Sequence, residues 1–142
     1  MALHPNRNDV KLCRSKVSLE DDGIRIKAVV LDGRRGLIQA FSGIPIQLCI
    51  FHIQSTITRY LTQDPKLTPA KDLKKIASFI QYVDEALFKE MLDEWHSKYS
   101  EFLKEKTFHE PSKRWSYKHR RVRSAYRRLN VKHAINIHLS TT

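Results

Sequence analysis

Ile24-Arg25-Ile26-Lys27-Ala28-Val29-Val30-Leu31-Asp32-Gly33 begins as an alternation and ends as an apolar run. That pattern suits a strand entering a sheet covered on both faces. Gly23 marks the turn before it. On the far side, Arg34 to Phe41 reads as a short helix, because Leu37, Ile38 and Phe41 share one side at three- and four-residue steps. Gly43 follows its end, where a helix C-terminus favours glycine. Ile44, Ile46, Leu48 and Ile50 then alternate with Pro45, Gln47, Cys49 and Phe51 as a second strand. Pro45 lies at its first position, where a missing N–H is tolerated. Strand, short helix, strand is a βαβ unit, with parallel strands and a right-handed crossover.

Outward from this unit the period changes to that of helices. Ile53 to Leu61 forms a first helix, stopped by Asp64-Pro65. Thr68-Pro69 starts another, whose apolar stripe is Leu73, Ile76, Ala77 and Ile80. Asp84 to Lys106 reads as one long helix, with Phe88, Met91, Leu92, Trp95, Tyr99, Phe102 and Leu103 on one face. After Pro111, Ser112 to Leu129 reads as a last helix with Trp115, Val122, Tyr126 and Leu129 on one side. In the other direction, residues 1–17 are polar and without a clear period, a disordered or frayed leader or the stub of something longer.

The chain has 142 residues, 41% of them hydrophobic, which is enough for one domain with a modest core. No run of 18 apolar residues exists, so a membrane span is excluded. The first residues lack the apolar segment of a secretory signal. Cys13 and Cys49 are too few for a disulfide scaffold, and a reducing cytoplasm is the expected compartment. Lys plus Arg number 26 against 15 Asp plus Glu, a net charge of +11. Nine of the basic residues and none of the acids fall in 111–142, so +9 sits at that end. A near-neutral body with a concentrated basic end is the footprint of a nucleic-acid binder. A solvated basic tail is the plainer meaning.

Three sets of residues can carry chemistry. Asp32 stands where a strand ends and a helix begins, the place where ligands gather in open α/β sheets. A carboxylate there can hold a hard cation such as magnesium, or serve only as the turn residue capping the next helix. Cys49 and His52 form a Cys-x-x-His at the end of the second strand. Both are zinc-ligand types, but a structural zinc wants four ligands and no second close pair exists. A core cysteine beside a capping histidine is the alternative. Arg120, Arg121, Arg123, Arg127 and Arg128 surround the last helix. Five phosphate contacts there would give a log–log salt slope of about −4 to −5. Alternatively these arginines cover the helical region or pair with Glu94 and Glu101. Trp115, Tyr117 and Tyr126 fit a packed helix face better than a stacking surface.

The stretch Ile24–Phe41 followed by Ile44–His52 resembles bacterial insertion-sequence transposases of the mutator-like type. So do Ile57-Thr-Arg-Tyr-Leu-Thr-Gln-Asp-Pro-Lys-Leu67 and Trp115-Ser-Tyr-Lys-His-Arg-Arg-Val-Arg-Ser-Ala-Tyr126. The resemblance runs from about Ser18 to Leu129. It implies an RNase H-like core in which Asp, Asp and Glu hold two magnesium ions for strand cleavage and transfer on DNA. Asp32 matches the second acid, as catalytic residue and metal ligand. Cys49 and His52 match a Cys/His motif of structural role, and the helices from 53 onward resemble an all-helical insertion. The intact family also implies homo-oligomers and, in a bacterium, location with the nucleoid.

The departures shape the expectation. Residues 1–17 supply no first acid, since Asp9 follows no strand, and no acid follows Glu110. The expected organisation is therefore a polar leader at 1–17, a partial RNase H-like core at 18–62 and a helical region at 63–142 with a basic end. The fold class expected is α/β followed by all-α. The expected function is that of an internal transposase fragment, inactive alone and binding no magnesium stably. A stand-alone basic nucleic-acid-binding module without catalysis is the alternative.

Overall fold

The computed structural model describes residues 7–130. The chain opens with α1 (Arg7–Asp21), then β1 (Val29–Leu31), α2 (Arg35–Ala40) and β2 (Ile46–Leu48). β1 and β2 pair in parallel, with Val29 opposite Ile46 and Leu31 opposite Leu48. The Cys49 N–H donates to the Leu31 carbonyl at 2.7 Å and prolongs this ladder by one bond. The strands are far shorter than the alternation predicts. Pro45 cannot donate at one end of β2, and a helix begins at Ile50 at the other. Leu31, Leu37 and Phe41 form a small core between strand and helix, ringed by Ile26, Val29, Ile44 and Ile46. Val30, in mid-strand, is 61% exposed. Among the described residues the sheet is therefore covered on one face, a correction to the doubly covered sheet that the apolar run predicts.

Residues 7–17 also depart from their reading as a disordered polar leader, since they are the body of α1. Lysine, arginine and leucine there are good helix formers even without an apolar stripe. The helix stops just before Gly23, whose φ of +79 favours glycine. The Gly23 N–H donates to the Glu20 carbonyl, and the Ile24 N–H to the Leu19 carbonyl. That pair of bonds closes the last turn. Lys16 fastens α1 to α2, donating to the Ala40 carbonyl at 3.1 Å and lying over the Phe41 ring.

The second half begins with α3 (Ile50–Leu61), α4 (Thr68–Ser78), α5 (Glu85–Lys98) and α6 (Ser100–Lys104). It continues with β3 (Lys106–His109), a 3-10 turn at Glu110–Ser112, β4 (Arg114–Tyr117) and α7 (Arg120–Leu129). The main core joins Ile53, Ile57 and Leu61 of α3, Leu73 and Ala77 of α4, Phe88, Leu92 and Trp95 of α5, and Val122, Ala125 and Leu129 of α7. Leu73, Ala77, Phe88, Leu92, Trp95, Val122 and Leu129 are among the positions that three- and four-residue spacing marks. Leu48 enters the same core from β2 and ties the two halves together. Asp84 caps α5 by accepting from the Leu87 N–H, and the buried Trp95 indole donates to the Pro69 carbonyl. Among the described residues no helix is long and apolar enough to cross a membrane.

Two expectations of all-helical structure need correction. The long helix over 84–106 is divided at Tyr99 into α5 and α6. The helix expected over 112–129 begins only at Arg120, because 106–117 folds as an antiparallel hairpin. Phe108, Trp115, Tyr117 and Thr107 favour extended backbone, and Phe108 stands directly opposite Trp115. The seven-residue step from Trp115 to Val122 fits a helix face by coincidence of period. The molecule is thus a mixed α/β fold with two small sheets, rather than α/β followed by all-α.

Candidate nucleic-acid interface

Asp32 lies immediately after β1, as the sequence predicts. Its Oδ1 accepts from the Arg34 N–H at 3.1 Å and its Oδ2 from the Arg34 Nε at 2.9 Å. An aspartate bonded to the backbone two residues on is a turn-former. The Asp32 carbonyl accepts from the Arg128 guanidinium at 3.0 Å, across 96 residues of sequence. Gly33, with φ +90, lets that guanidinium approach, since a Cβ there would lie 2.6 Å from Arg128 Nη2. α7 is thereby pinned to the carboxyl end of the parallel pair.

A hard cation at Asp32 would need several oxygen ligands. Both carboxylate oxygens already face Arg34, and no group of three or more His, Cys, Asp or Glu side chains able to hold a metal occurs among the described residues. These residues do not fit a pair of magnesium ions. Cys49 occupies the N-cap position of α3, half-buried, with its carbonyl accepting from the Ile53 N–H. His52 is exposed in the first turn and meets Phe51 edge to face at 5.9 Å. α3 has no side-chain cap, so neither the core cysteine nor the capping histidine of the plainer reading is realised.

The five arginines of α7 divide into two groups. Arg123 donates to the Leu103 carbonyl at 2.6 Å and lies 3.6 Å from the Tyr117 ring centroid. Arg128 holds Asp32. These two fasten α7 to its neighbours through carbonyls and a ring, not through Glu94 or Glu101. Arg120, Arg121 and Arg127 are exposed. Arg120 and Arg121 edge a groove of about 500 Å³ together with Lys66 and Lys118, between the start of α7 and the loop after α3. The aromatics divide as well. Tyr126 packs on the core, stacked on Trp95 and His96, and burial raises its hydroxyl pKa. Trp115 and Tyr117 lie on the hairpin instead, and Trp115 is 66% exposed.

Sequence reading missed Phe108, Lys113 and Arg114 as surface groups of this region. The usable signal was the alternation Lys106-Thr-Phe-His109 and Arg114-Trp-Ser-Tyr117 on either side of a proline turn. No family model matches the chain, and neither a curated protein nor a solved structure matches it.

Proposed function

We propose that this chain is part of a transposase of the mutator-like type, an RNase H-like DNA-processing protein, and that its own contribution is to grip DNA through phosphates. The observation carrying this reading is the fastening of α7 by Arg128 to the turn after β1, which fixes a helix whose Arg120, Arg121 and Arg127 are turned to solvent. Phosphate contacts from such a face are insensitive to sequence and strongly sensitive to salt. The Arg34 bonds that occupy Asp32 favour the second reading, a binding module that cuts nothing without further acids.

Two measurements test it. Three phosphate contacts give a log–log salt slope of about −2.7 for duplex binding, shallower than five arginines would give. Replacing Arg120, Arg121 and Arg127 together by alanine should remove most of that slope while the melting temperature stays put. Arg123→Ala should do the reverse, lowering the melting temperature with little change in slope. A triple variant binding duplex as well as the parent would overturn the phosphate assignment. The transposase assignment is tested by translating the DNA on either side of the reading frame. A strand ending in Asp before it and a helix carrying Glu after it are expected, and the absence of both would overturn that assignment.

A further inference from the structure

We infer that the face of the β3–β4 hairpin carrying Phe108 and Trp115 is a stacking site for unpaired nucleobases. The inference rests on the nucleic-acid reading above and names the form of DNA that this second surface takes. Lys106, Phe108, Trp115 and Tyr117 project from one face, since Lys106 pairs with Tyr117 and Phe108 with Trp115. The Phe108 and Trp115 rings meet at 5.1 Å with 52° between their planes. Trp115 nevertheless stays 66% exposed and Phe108 38%.

Tyr117, as exposed as Phe108 at 38%, differs in carrying cations. Arg123 lies over its ring at 3.6 Å and Lys106 Nζ is 5.0 Å from its centroid. The face therefore runs from the open Trp115 ring and its partner Phe108, through a ring flanked by cations, onto α7. Lys113 and Arg114 are exposed at the hairpin tip. Aromatic rings interleaved with cations match the alternation of base and phosphate along a strand. Two exposed rings are far too little for a stable protein interface, which needs about 800 Å² on each partner. Lys106, Lys113, Arg114 and Lys118 outnumber Glu105 and Glu110 in and beside the hairpin, which makes a phosphate backbone the complementary partner. A base within a duplex has its faces covered by its neighbours, so the ring platform selects unpaired DNA.

Fluorescence provides the test, because Trp95 is 3% exposed and Trp115 is open. Titration with a 12-residue oligothymidine should quench the exposed component of the emission, and a blunt duplex of equal length should quench it much less. Trp115→Leu should weaken binding of the single strand by about 5- to 150-fold, the range for one stacked base. Its duplex affinity and melting temperature should be unchanged, and Trp115→Phe should recover part of the loss. Equal quenching by both probes would overturn the proposal, as would unchanged single-strand affinity in Trp115→Leu. Self-association of the parent chain that Trp115→Leu abolishes would assign the face to a second copy and overturn it too. Loss of duplex binding alone, with quenching by the single strand intact, would count against the arginine face and not against the hairpin.

Discussion

Gly33 is the residue on which the join between the two halves turns. Its φ of +90 is one that a side chain resists, and the space where a Cβ would stand is filled by the Arg128 guanidinium. Gly33→Ala should therefore destabilise the fold by about 1–2 kcal/mol from backbone strain alone. Differential scanning calorimetry would register the loss as a lower melting temperature. Gly23→Ala, at a similar φ but with open space around it, should show the strain without the displaced arginine. At this scale the sequence was informative about position and silent about partners. Asp32-Gly33 announces a turn after a strand, and the turn is there. That the turn's carbonyl is held by a residue 96 positions away follows from tertiary packing, which local pattern does not encode. The same holds for the α7 arginines: a run of basic residues marks a helix face but does not say which members reach back to carbonyls.

Among the elements, the hairpin is fastened at its base by Glu105. The Lys118 N–H donates to its carbonyl at 2.9 Å, and Lys118 Nζ and His119 Nε2 lie 3.3 and 3.2 Å from Oε2. The bonds from His119 and Lys118 hold the Glu105 carboxyl below the ordinary glutamate range. A carboxylate whose pKa is lowered by folding stabilises above its unfolded value and loses that contribution as pH falls through its folded value. Glu105→Gln should thus cost stability near neutrality and cost progressively less once pH falls below the usual carboxylate range. Thermal melts of both proteins from about pH 7 to about pH 3 would show the curves converging. A constant gap across that range would remove Glu105 as the titrating group. The helices α3, α4 and α5 were legible because their buried faces repeat at helical spacing. The hairpin was not, because four-residue strands leave only two alternations each, and Pro111 reads equally well as a helix boundary or a turn.

Over the whole molecule, stability is unevenly shared. Ile53, Leu73, Ile80, Phe88, Leu92 and Leu129 are fully buried in one helical core, whereas β1 and β2 form a bare pair with Val30 open to water. Two strands alone are marginal, and a parallel pair with one uncovered face more so. Native-state hydrogen exchange should find the β1–β2 amides opening well before those of α3 and α5, which should approach the global limit. Uniform protection across both halves would contradict this ordering. The clasp between Arg128 and the Asp32 carbonyl has a consequence for how the chain is made. A ribosome releases β1 and β2 about a hundred residues before the arginine that locks them, at roughly 5–20 residues per second. During those several seconds α3 also lacks Val122, Ala125 and Leu129, which complete the core around it. The nascent front half waits, sticky and unlatched, until the basic helix emerges to close it, and anything that stalls synthesis before that helix leaves a chain exposed to chaperones and proteases.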